Sequence, residues 1–155
     1  METRELDALI SEHALFAGMS PDDRKLIGGC ARNVRFDRGA YLFREGGAAD
    51  EFFLIRHGSV ALELMAPGRG PIRFLTIGAG DIAGVSWLAP PYHWHYDAQA
   101  IELTRAIAID AGCLRRKAEE NHDLGYEMAK RFMTMLVHRL HAAQLQILDV
   151  YGTPP

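Results

Sequence analysis

The apolar positions of this chain change their spacing twice. From Thr3 to Ala31 they recur as Leu6, Leu9 and Ile10, then Leu26 and Ile27, the three-and-four spacing that gathers side chains on one face of a helix. Ser20-Pro21-Asp22-Asp23 reads as a helix start. Ser20 can accept from an orphan amide, proline suits the first helical position, and the two aspartates complement the positive helix end. Two short helices, broken near Gly18, are predicted.

From Val34 to Asp110 the texture becomes short β-type runs punctuated by glycine. Strands are predicted at Asn33–Phe36, Tyr41–Arg44, Glu51–Arg56, Ser59–Met65, Arg73–Ile77, Asp97–Glu102 and Arg105–Ile109. Arg38-Gly39, Glu45-Gly46-Gly47, His57-Gly58, Pro67-Gly68-Arg69-Gly70 and Gly78-Ala79-Gly80-Asp81 supply the turns between them. Strands about ten residues apart argue for an antiparallel sandwich or barrel. Residues 122 to 150 return to helical spacing and would form a rod of about 43 Å. Asn121 is the expected cap, and Gly152 with Pro154-Pro155 the expected stop. One apolar stripe runs Leu136, Leu140, Ala143, Ile147, Val150, and a second takes in Met133, Val137, Gln144 and Leu148. Two stripes predict two contacts, one on the barrel and one elsewhere.

Composition narrows the function classes. A length of 155 residues with 48% apolar content suits one globular domain. With 24% charged residues and a net charge of −3, the chain is neither a disordered polyelectrolyte nor a generally basic nucleic-acid binder. The first fifteen residues carry Glu2, Arg4, Glu5, Asp7 and Glu12, unlike a secretory signal, and no apolar run is long enough to span a membrane. Two cysteines, Cys30 and Cys113, make no disulfide framework, so each is expected to serve as small buried packing in a cytoplasmic, reducing setting. Arg115, Arg116 and Lys117 after Cys113 would lower its pKa if exposed, but read more simply as a solvated face. No nucleophile elbow, His-Glu-x-x-His or phosphate loop occurs, and no enzyme is expected.

The order of helices, glycine-punctuated barrel and long helix resembles the cyclic nucleotide-binding domain family, the sensor module of the catabolite activator class of regulators. The resemblance runs from about Leu15 to Tyr151. It is carried by Phe36-Asp37-Arg38-Gly39, Phe43-Arg44-Glu45-Gly46, Phe53-Leu54-Ile55-Arg56-His57-Gly58-Ser59-Val60, Leu75 and Gly78-Ala79-Gly80-Asp81-Ile82-Ala83-Gly84. It implies an α+β, mainly β fold: a double-stranded β-helix, or jelly roll, over residues 33–110, with N-terminal helices over 1–32 and C-terminal helices over 111–151. Residues 80–96 correspond to the family's phosphate-binding cassette, in which a glycine opens a short helix, a glutamate holds the ribose and an arginine neutralises the cyclic phosphate.

Gly84 matches the cassette glycine, and the amides from Gly84 through Val85 and Ser86 to Trp87 are candidate anion donors. The glutamate position, however, holds Val85, and the arginine position holds Trp94, with His95 and Tyr96 behind it. Each lost charge-assisted bond costs about 1.5–3 kcal/mol, so tight cyclic AMP binding is not expected. The purine-facing positions of the long helix fall near Ala143 and Gln144, and Gln144 could still read a base edge. Both tryptophans, with Tyr92 and Tyr96, lie between Trp87 and Tyr96. They read either as a pocket remodelled for a flat or apolar effector or as rings filling a pocket no ligand enters.

His93 and His95 would share one side of a strand, as metal or haem ligation requires, but no cysteine or carboxylate completes a set, and no metal site is assigned. His138, Arg139 and His141 read as an exposed helix face. The expectation is a stand-alone sensor: a cyclic nucleotide or other small effector in the roll, and homodimerisation of the long helix through Leu136, Leu140, Ala143 and Ile147. Output would pass to an unknown protein partner without direct DNA binding, because only Thr153-Pro154-Pro155 follow Gly152. The alternatives are a ligand-free dimerisation or interaction module and a haem or metal redox sensor.

Overall fold

In the computed structural model, which describes residues 2–151, the three zones become three structural parts. The first comprises α1 (Glu2–Glu12), a 3-10 turn (Ala14–Phe16) and α2 (Pro21–Gly28). Ser20 caps α2 by accepting from the Asp23 amide at 3.2 Å, with Pro21 in the first turn.

Eight strands follow: β1 (Ala31–Phe36), β2 (Tyr41–Phe43), β3 (Glu51–His57), β4 (Ser59–Ala66), β5 (Gly70–Gly78), β6 (Ile82–Ala83), β7 (Asp97–Ala100) and β8 (Thr104–Asp110). They form two four-stranded antiparallel sheets ordered β1-β8-β3-β6 and β2-β7-β4-β5, the jelly roll that the family resemblance implied. β6 has only two residues, too few for a period to register, and was not among the predicted strands. In β3 the four residues Phe52 to Ile55 are all buried, because both faces of this strand are covered. Successive side chains point oppositely. Phe52 meets Trp87 and Phe132, whereas Phe53 meets Phe36 edge-on.

The cysteines require a correction. Cys30 and Cys113 are not separate packing residues: they are bonded to each other, with Cα atoms 5.8 Å apart across 83 residues of sequence. The β1–β8 ladder explains the meeting. Ala31 pairs with Ile109, and the Asp110 amide donates to the Cys30 carbonyl at 2.9 Å, so the two ends of the roll lie side by side. The bridge joins the exit of α2 to the first turn of α3 (Ala111–Glu120).

The last element, α4 (His122–Tyr151), starts where expected, with the Leu124 amide donating to Asn121 Oδ1 at 3.2 Å. The expected stop at Gly152, Pro154 and Pro155 lies outside the described residues. Neither expected stripe faces the roll. The buried run is Leu124, Met128 and Phe132, with Met135 and Arg139 half-buried after it, while Met133, Val137, Leu140, Ile147, Leu148 and Val150 are exposed. Apart from Arg139, the buried contact is made by the first half of α4, so the stripes of its second half are left outside.

Candidate functional site

Gly84 adopts φ +102°, and a Cβ there would lie 2.8 Å from the Trp94 ring. This position needs glycine both for its backbone and for its neighbour. A single 3-10 turn, Ser86–Leu88, follows, with Val85 as its cap residue. The chain then passes a cis Pro90-Pro91 bond and Tyr92 at φ 60°. It docks against the 44–49 loop: Ala49 donates to the Tyr92 carbonyl, Gly46 to the Trp94 carbonyl, and Trp94 to the Gly47 carbonyl. Asp97 closes this edge by accepting from the Glu45 amide at 2.7 Å.

The cassette rings therefore have partners within the protein. Trp94, 5% exposed, stacks on Phe43 with centroids 3.8 Å apart. Trp87, 4% exposed, stacks on Phe52 at 4.6 Å and meets Phe132 of α4 edge-on. Tyr96 lies between Phe43 and Phe74. Arg115 of α3 donates to the Trp87 carbonyl at 2.7 Å and covers the Tyr92 ring at 4.2 Å. The space beside Gly84 is thus occupied by the Trp94 indole, and Trp87 Nε1 is buried without an acceptor among the described residues.

Of the sequence candidates, Gly84, Trp94 and Tyr96 come together around Phe43 and Ser86 is buried beside Trp87. His93, His95 and Gln144 are exposed, Gln144 on the outer half of α4. Leu140 and Ile147 are exposed along the same half, with Leu136 and Ala143 half-buried.

The open space lies one layer away. A groove of about 990 Å³ runs between α4, the segment from Ala14 to Asp23, β5 and the turn before β6. Leu15, Met19, Leu75, Ile77 and Met135 supply its apolar wall, and Thr76, Thr134, Lys130, Arg131, His138 and Arg139 its polar groups. Glu127 holds Lys130 at 3.1 Å and Arg131 at 3.2 Å, and hydrogen bonds from these two cations keep its carboxyl below the usual range. Arg131 also donates to the Leu15 and Ala17 carbonyls at 2.8 and 2.9 Å, fastening α4 to the 3-10 turn.

Arg139 departs from the exposed face expected for it. Its Nη2 donates to the Ile82 carbonyl, and its Nη1 is buried without an acceptor among the described residues. The guanidinium stands by Tyr96; burial pushes that phenol up, against the opposing influence of the Arg139 charge. The missed signal was spacing: Arg139 continues the inward run Leu124, Met128, Phe132, Met135, where an apolar residue would be routine. His13 was also missed. Buried near the groove, it accepts from the Leu15 amide through Nδ1 and meets the Asp81 carbonyl through Nε2, and burial lowers its pKa.

No helix among the described residues is long and apolar enough to cross a membrane. The cyclic nucleotide-binding domain model matches residues 33–121. Over 149 residues the chain is 26% identical to the CRP-like cAMP-activated global transcriptional regulator of Mycobacterium tuberculosis, covering 96% of this chain and 64% of that one. The chain therefore spans less than two thirds of that relative's length. A cyclic nucleotide-binding domain from Methylobacillus flagellatus superposes with a TM-score of 0.80 at 20% identity, covering 99% of this chain and 85% of that one. The sensor domain of the transcriptional regulator DNR from Pseudomonas aeruginosa gives 0.72 at 22% identity, covering 91% and 95%. These two likenesses concern the fold, and the family-matched segment runs from Asn33 within β1 through the rest of the roll and α3. The chain belongs to the cyclic nucleotide-binding domain family.

Proposed function

We propose that this chain, over residues 1–155, is a ligand-sensing regulatory domain that passes the occupancy of its groove through α4 to a second copy or to a separate protein. The observation that carries the reading is the double life of α4. From Glu127 to Ala142 it forms one wall of the groove, and toward its C-terminal end it exposes Leu140, Leu145, Ile147, Leu148 and Val150. A ligand that favours one orientation of the helix would change the surface this end presents. Leu136, Leu140, Ala143 and Ile147 recur at four-three-four spacing, the seam of a two-helix contact. The family is of generally non-catalytic regulatory domains, in keeping with a binding role.

The effector space is the groove rather than the cassette hollow, because Trp94 and Trp87 take up the latter. That same filling favours a second reading, an interaction module that has lost its ligand and keeps the helix. Light scattering on the wild type and Leu140→Glu, with and without cyclic AMP or cyclic GMP, separates the two. Sensing predicts a dimer that Leu140→Glu disperses and a melting temperature that responds to ligand. A dimer indifferent to either nucleotide and to small organic acids supports the module, and a wild-type monomer refutes the dimer seam.

A further inference from the structure

We infer that Arg139 is an anion-binding residue: the groove takes a small organic acid, carboxylate or phosphate monoester, whose head group rests on this guanidinium and whose apolar body lies along Leu15, Met19, Leu75 and Ile77. The inference rests on the effector reading above and names the chemistry of that effector.

Three observations support it. First, Arg139 is a charged donor with an unmet bond. Nη1 is buried and has no acceptor, and no carboxylate among the described residues stands within ion-pair distance of the group. An unpaired buried donor is costly, more so when charged, and an oxyanion is the acceptor that best meets a guanidinium fork. Second, the neighbouring cations are already engaged, Lys130 and Arg131 by Glu127 and Arg131 also by two carbonyls. The Asp81 carboxylate, also in the groove, accepts from the Gly78 amide at 3.0 Å. Third, the space suits a small ligand. About 990 Å³ lies within the range of ligand clefts, and its wall is apolar on the side of the 3-10 turn and β5.

The geometry also supplies a transmission step. Arg139 now ties α4 to the roll through the Ile82 carbonyl. An anion that draws the guanidinium toward the groove competes with that tie and frees the second half of α4 to reorient.

The test is a titration of the full chain with hexanoate, hexyl phosphate and the neutral hexanamide, following tryptophan emission and melting temperature. The acids should bind and the amide should not, and the hexanoate and hexyl phosphate arms show which head group is preferred. Arg139→Gln should weaken the acids by at least about tenfold, the loss expected for a charge-assisted pair. Arg139→Lys should weaken them by at least about threefold, since an ammonium lacks the planar fork. Far-UV circular dichroism checks the folding of both variants, and either folded variant suffices. Equal binding of amide and acid, acid binding unchanged in a folded variant, or no binding of either acid overturns the inference. If cyclic AMP binds while neither acid does, the sensing reading stands and this one falls. If neither acid nor cyclic nucleotide binds, both fall.

Discussion

Replacing Cys30 and Cys113 by serine should destabilise the protein substantially without changing its native contacts. The bridge closes a loop of 83 residues that contains the whole roll. In the native state the β1–β8 ladder already holds the two ends together, so the cross-link acts chiefly by restricting the unfolded chain. Chain-entropy arithmetic for a loop of this length gives about 4.5 kcal/mol, and measured values for disulfides mostly fall at about 2–4 kcal/mol. For a domain of this size that corresponds to a fall of roughly 5–18 °C in melting temperature. The assay is thermal and urea unfolding of oxidised wild type, wild type with a phosphine reductant, and the double serine variant. Intact mass before and after alkylation verifies the bridge in the first. Reduced wild type and the serine variant should melt together, both below the oxidised protein. A bridged wild type that melts within a degree of both would refute the loop-closure reasoning. Two freely alkylated thiols in the oxidised preparation would refute the bridge itself.

Two further perturbations probe the walls of the site. Gly84→Ala places a methyl 2.8 and 2.9 Å from atoms of a ring clamped on Phe43, at a positive φ. It should cost about 2–4 kcal/mol in urea unfolding, and a loss under about 0.5 kcal/mol would mean that Trp94 is free to move. His13 favours its neutral form in the fold, below its ordinary value of 6.5, because burial outweighs the raising effects of the Asp81 carbonyl bond and charge. Its contribution is therefore fully present above about pH 6.5 and is lost as the pH falls through the lower folded-state value, since the unfolded chain takes up the proton first. His13→Gln should flatten the stability profile below about pH 6.5. A profile as steep as that of the wild type would assign the acid sensitivity to other groups.

Much of the fold was written in local pattern. Seven of the strands, the capped start of α2 and the rod of α4 follow from spacing and turn chemistry, because such signals act over a few residues and each segment obeys them alone. The presence of Val85 and Trp94 after Gly84 is equally plain in the chain, since it concerns which side chain stands at a given position. Where those side chains go is another matter. Trp94 lies on Phe43, and Trp87 between Phe52 and Phe132, only because β2, β3 and α4 are brought across the roll.

The sequence by itself determined the class of fold, the glycine framework and which side chains stand from Gly84 to Tyr96. Tertiary structure alone decided that Cys30 meets Cys113, that Arg139 turns inward to Ile82 and Tyr96, and that open space lies under α4 rather than beside Gly84. Secondary structure is set by neighbours a few residues apart. Contacts across dozens of residues depend on how whole sheets and helices are packed against one another, and no local pattern carries that information.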